Sequence, residues 1–160
     1  MDAAVDLGVP TVVFDMGGAF ARSLPNGMSG IIGNAWGLSA MPSEGEIGAL
    51  MQAFSLRRQG LLARDTCAPM LVINGEHDQY IPQQDSTLFA RYPNNRVWLM
   101  RNMTHCAAEG VPRIVPAMTA WLCLHLYGET VTSRLALRLA KCLLPVRVQA
   151  TLPSKGAVHN

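Results

Sequence analysis

Two short segments carry side chains that could pass a proton between them. Gly75-Glu76-His77-Asp78-Gln79-Tyr80-Ile81-Pro82 follows one apolar run, and Arg101-Asn102-Met103-Thr104-His105-Cys106-Ala107 follows another. A carboxylate that accepts a hydrogen bond from an imidazole Nδ1–H fixes the ring's tautomer. It also stabilises the imidazolium that forms when Nε2 takes a proton from a nucleophile. Asp78 and His105 are the candidates for these two roles. They stand 105 − 78 = 27 residues apart, room for one loop, one helix and one strand. Each has a plainer alternative: Asp78 as a turn residue capping the next helix, and His105 as a hydrogen-bonded loop histidine. His77 reads as solvent-facing, and His125, among apolar neighbours, as structural.

A triad also needs a nucleophile. Gly27-Met28-Ser29-Gly30-Ile31 comes nearest to a Gly-x-Ser-x-Gly elbow, with Ile31 where the second glycine belongs. It lies in a Pro/Asn/Gly-rich stretch and not between a strand and a helix, so Ser29 reads as a loop serine. Gly17-Gly18 lacks the Gly-Lys-Ser/Thr of a phosphate loop and reads as a turn. Cys67, Cys106, Cys123 and Cys142 include no Cys-x-x-Cys pair. They read as reduced thiols of a cytoplasmic protein, the alternative being a zinc site of His105, Cys106 and a distant cysteine. Met41, Met51 and Met70 read as core packing or as the lining of an acyl pocket. No cofactor is implied, because a triad needs none.

The elements that must position Asp78 and His105 follow from the apolar pattern. Residues 9–15, 69–75 and 96–101 are short apolar runs bounded by turn residues, which predicts three buried parallel strands. The Ser43-x-x-Glu46 capping box opens a helix over 44–64. Further helices are expected over 83–91, 113–127 (with Pro116 in its first turn) and 130–144, the last basic on one side. Residues 16–42 read as an irregular connection and 145–160 as a polar, frayed tail. Strand and helix alternate, so the fold class is α/β, a three-stranded parallel sheet flanked by helices. In such sheets ligands meet the carboxyl ends of the strands, where both candidate loops fall.

Composition supports a globular domain. Of 160 residues, 49% are hydrophobic and 15% charged, which excludes a disordered chain. The net charge of +2 comes without a basic cluster interleaved with aromatics, so nucleic acid is not an expected partner. The first residues lack the basic and apolar regions of a secretory signal, and no apolar stretch is long enough to span a bilayer.

The segment from Pro69 to Leu126 resembles the last two strands and final helix of α/β-hydrolases. Gly75-x-x-Asp78-x-x-Ile81-Pro82 is similar to their acid loop, and Thr104-His105-Cys106 to their histidine loop. The nearest likeness is to fermentation–respiration switch-type esterases and polyketide-shortening hydrolases. That resemblance implies a partial hydrolase domain over 1–127, with 16–65 cap-like or connecting, and a C-terminal helix and flexible tail over 128–160. It implies hydrolysis of an ester, thioester or comparable acyl or C–C bond, with Asp78 orienting His105 as base. The family's serine elbow has no counterpart here, so the chain reads as a fragment whose nucleophile is missing, from a truncated gene or a split enzyme. The alternative is a non-catalytic module that binds a ligand or partner. The expected partners are a small acyl substrate and an N-terminal half, or a second copy, joined along the strand at 9–15.

Overall fold

The computed structural model describes residues 3–7, 10–23, 27–38, 43–128 and 130–149. They fall into two compact units, one formed by the chain before Pro10 and after Asp65, the other by Pro10–Asp65.

The first unit is built on a sheet. Its strands are β1 (Ala4–Asp6), β2 (Met70–Gly75), β3 (Arg96–Met100) and β4 (Val146–Gln149), in that spatial order. β1, β2 and β3 run parallel, with Leu71 opposite Arg96 and Gly75 opposite Met100. β4 is antiparallel to β3, with a register irregularity at Leu99/Met100. The three-stranded parallel sheet is therefore present, but its first strand is Ala4–Asp6 and not 9–15. β4 also forms within the segment expected to be a frayed tail, and residues 150–160 lie outside those described.

β2 and β3 form where expected because their residues are apolar on successive positions, as burial of both faces demands. Leu71, Val72, Ile73, Val97, Trp98, Leu99 and Met100 are all buried. Over β2 and β3 lies α5 (Val111–Tyr127), contributing Ile114, Ala117 and Trp121 to the core. The 3–4 spacing of these three puts them on one helix face. α5 starts two residues before the expected boundary, with Pro112 in its first turn. Pro116 therefore falls in the second turn, where it removes one backbone donor; both prolines are exposed, so water can satisfy the carbonyl left over. α6 (Val131–Cys142) follows and packs Leu137 and Ala140 against the same core. The connection from β2 to β3 holds a short helix, α4 (Gln83–Thr87), continued by a tighter 3-10 turn over Leu88–Arg91.

The second unit is helical: α1 (Gly18–Ser23), α2 (Met28–Ala35) and α3 (Glu44–Ala53). Residues 16–42 are thus more regular than expected, with residues 24–26 and 39–42 outside those described. The capping box at the start of α3 is formed. Ser43 Oγ accepts from the Glu46 N–H at 3.2 Å, and Glu46 Oε2 accepts from the Ser43 N–H at 2.8 Å. α3 ends at Ala53, not 64, because Ser55 takes over the local bonding: its Oγ donates to Asp15 Oδ1 and accepts from the Arg58 N–H. Val12–Asp15 is a 3-10 turn. Pro10 supplies no ladder donor, Val13 is buried, Phe14 packs with Ile47 and Met51, and Asp15 is held by Ser55 and Arg57. The apolar run at 9–15 therefore serves a small helical core, a use that an apolar run alone does not distinguish from a strand. Val9 itself lies outside the described residues.

Candidate functional site

Asp78 and His105 meet. Each stands on the loop after its strand, β2 and β3, and His105 Nδ1 lies 3.0 Å from Asp78 Oδ2. The Asp78 side chain is fully buried, whereas the imidazole is 42% exposed. Asp78 Oδ1 accepts two backbone bonds, from Tyr80 N–H at 2.8 Å and Ile81 N–H at 3.0 Å. Asp78 thus closes a turn, as its plainer reading expected, with one oxygen and faces the imidazole with the other.

That division sets the electrostatics. Burial pushes the Asp78 carboxyl up; the Ile81 amide, His105, the Tyr80 amide and the Asn74 side chain together pull it further down, leaving it below its ordinary value. The carboxylate is ionised at neutral pH and acts as acceptor, so Nδ1 carries the hydrogen of this contact; in the neutral tautomer of the ring, Nε2 then keeps its lone pair. Tyr80 sets its ring edge-on to the imidazole, with centroids 5.1 Å apart. Among the described residues, Nε2 has no hydrogen-bond partner.

The two loops are stitched together by backbone. Glu76 N–H donates to Met100 O and His77 N–H to Met103 O, both at 2.9 Å. Gly75 sits where a Cβ would come within 1.9 Å of Thr104 O and 2.4 Å of Met103 O, so only glycine allows the histidine loop this close to the end of β2. Beyond it, Cys106 and Ala107 both adopt positive φ, 57° and 51°. Such a pair of non-glycine residues costs free energy and needs external support. Asn74 supplies some of it: Oδ1 of this fully buried side chain accepts from the Cys106 N–H at 3.1 Å and the Gly75 N–H at 2.8 Å. Its Nδ2 makes no hydrogen bond of good geometry, yet lies close enough to Asp78 to favour the ionised carboxylate. On the other side, the Glu109 carboxylate accepts from both the backbone N–H and the hydroxyl of Thr104.

The remaining candidates fall elsewhere. Ser29 lies in the first turn of α2, and the element before it among the described residues is the helix α1 and not a strand, so it occupies neither an elbow nor the loop expected for it. His77 is exposed. His125 stacks on Trp121 at 3.9 Å and its Nδ1–H donates to the Trp121 carbonyl, an intrahelical role. Gly18 is a contact residue, since a Cβ there would lie 2.0 Å from Glu44 O. Met51 is core, Met70 is half-buried, and Met41 lies outside the described residues. Burial and the carboxylates of Asp78 and Asp6 raise the Cys106 thiol above its ordinary value, so it is no thiolate nucleophile. All four cysteines are free, and among the described residues no three of His, Cys, Asp and Glu gather to hold a metal. No helix among those residues is long and apolar enough to cross a membrane.

No motif marks Asn74 or Tyr80 as part of a site, and the acid-loop pattern that begins at Gly75 does not mark that residue as a point of close approach. Asn74-Gly75 looks like the turn that closes a strand, but a polar side chain ending the run Leu71-Val72-Ile73 must be satisfied wherever it is buried, and that requirement was the available signal. Comparison with protein-family models, with curated proteins and with solved structures finds no match to this chain.

Proposed function

We propose that the chain carries the acid and the general base of an α/β-hydrolase-type serine hydrolase acting on a carboxylic ester, thioester or comparable acyl bond. The observation that supports this most directly is the 3.0 Å contact between His105 Nδ1 and the buried Asp78 carboxylate, made by loops that follow consecutive parallel strands. In the proposed cycle, His105 Nε2 takes the proton of a serine hydroxyl as the oxygen bonds to the acyl carbon. It returns that proton to the leaving alcohol or thiol as the tetrahedral species collapses, then repeats the exchange with water to release the acid. Asp78, kept ionised by the Tyr80 and Ile81 amides, offsets the imidazolium charge at each stage. The serine comes from a polypeptide segment outside these residues, since no Gly-x-Ser-x-Gly occurs within them. Four thiols outside any disulfide fit a reducing, cytoplasmic setting.

A non-catalytic binding module is the second reading, favoured by the absence of any hydroxyl bonded to His105 Nε2 among the described residues. One experiment separates the two. The chain is co-expressed with the polypeptide encoded directly before it and treated with a fluorophosphonate probe. Serine labelling that is lost in both His105→Ala and Asp78→Asn supports the hydrolase. Labelling indifferent to His105, or an upstream polypeptide without an elbow serine, ends that reading in favour of the module.

A further inference from the structure

The helix pair α5–α6 bears a surface that the Asp78–His105 site does not use. Residues 110–149 hold five basic side chains (Arg113, Arg134, Arg138, Lys141 and Arg147) and one acidic, Glu129, for a net charge of 5 − 1 = +4. Residues 1–109 hold seven basic and ten acidic, a net 7 − 10 = −3. The positive charge of the chain is thus gathered on its last two helices and the strand that follows.

Within that region α6 divides into three faces. Leu137, Ala140 and then Leu144 turn toward the core, Leu144 being buried. On the opposite side Val131, Leu135, Leu139 and Leu143 recur every four residues and are 84%, 55%, 60% and 70% exposed. Beside this row Arg134 and Arg138 are exposed, and Lys141 continues their spacing along the sequence. The helix, VTSRLALRLAKC, contains no carboxylate. A helix with one face on the core ordinarily presents polar side chains on the opposite one; here that face is a row of leucines. The apolar surface continues into the groove between α6 and α5, whose lining includes Val115, Cys123, Tyr127 and Ala136 beside the hydroxyl residues Thr119 and Thr132. Val115 and Tyr127 are themselves 48% and 83% exposed.

We propose that this face docks α6 in the plane of an anionic lipid bilayer. An apolar row flanked by a basic row, with no acid along the helix, matches a boundary that is hydrocarbon on one side and negatively charged on the other. The leucines enter the acyl boundary while Arg138 extends to the headgroups. At 12 residues α6 is about 18 Å long, too short to span and long enough to lie flat. Along its sequence α6 carries basic residues and no acid, which complements an anionic lipid, whereas a second copy of the same helix brings like charge.

The test is co-sedimentation of the full chain with phosphatidylcholine vesicles, with and without about one-third phosphatidylserine, over a range of salt. The expected result is partitioning at least about tenfold stronger on the anionic vesicles, falling as salt rises. Leu135→Ser/Leu139→Ser should abolish it. Arg138→Gln should weaken it by about fivefold, the contribution of one charge near an anionic surface. Unchanged circular dichroism in each variant would establish that the fold is retained, and Arg138→Gln stands as the test should the leucine pair unfold. Equal binding to neutral and anionic vesicles, or none to either, overturns the proposal. So does light scattering that finds a dimer which Leu135→Ser/Leu139→Ser dissociates, because the leucine row is then occupied by a second copy.

Discussion

Replacing Asn74 with alanine strips the Gly75 and Cys106 N–H groups of their shared acceptor and removes the amide that leans on Asp78. A buried donor left unsatisfied costs about 1–3 kcal/mol. Gly75 is buried and takes the full cost, while Cys106 is half-buried and water can meet part of it. Losing Nδ2, itself buried without a good partner, returns about 1 kcal/mol. The net expectation is a loss of about 2 kcal/mol, or about 4–8 °C in melting temperature for a chain of this size. The effect should concentrate at the histidine loop, where positive φ at Cys106 and Ala107 depends on that acceptor. Proton and nitrogen NMR of the His105 imidazole reads it directly: the wild type should give a slowly exchanging, downfield Nδ1–H resonance, and Asn74→Ala should not. Asn74→Asp keeps an acceptor for both N–H groups but sets a second carboxylate near Asp78. It should melt closer to wild type at neutral pH while raising the pH at which Asp78 takes up a proton. If Asn74→Ala melts within about 1 °C of wild type and retains the downfield proton, Asn74 is not what joins the two loops.

Gly75→Ala should be more damaging, at least about 3 kcal/mol by chemical denaturation, because the new methyl group meets the Thr104 carbonyl backbone at 1.9 Å and cannot rotate away. Asp78 and Asp15 both titrate below their ordinary values in the folded chain. Their stabilising contributions are therefore present above the unfolded carboxylate value and are lost as pH falls through the lower folded values. Melting temperature should be level near neutrality and fall on acidification below about pH 4, less steeply in Asp78→Asn. The chain by itself should take no fluorophosphonate label; stoichiometric modification of Ser29, read by peptide mass spectrometry, would restore the Gly27–Ile31 segment as a nucleophile loop.

The parts of the fold legible in the sequence were those whose signal is local. Two runs of consecutive apolar residues marked β2 and β3, and Ser43 with Glu46 marked the start of α3 to the residue. The order of Asp78 and His105 after those strands placed both on one rim of the sheet, which is why their meeting could be anticipated. What misled was equally specific. Val12-Val13-Phe14 has the composition of a buried strand, but its partners are Ile47 and Met51 on a helix some 35 residues on, and sequence pattern holds no record of that choice. Ala4–Asp6 is three residues long, too short for alternation or run length to register. Asn74 was hidden for another reason, since its role depends on a backbone N–H that 32 residues of chain return to it.

β4 lies antiparallel along β3, so that side of the parallel array is closed by a strand of opposite direction. Growth of the parallel array is thereby restricted to the other side, along the three residues of β1. A strand laid parallel against β1 would stand two inter-strand steps from β2, about 10 Å across the sheet, with its carboxyl end on the same rim as Asp78 and His105. The sheet is in this sense a one-sided template. It fixes the direction from which a further strand can arrive, and the rim on which that strand would end.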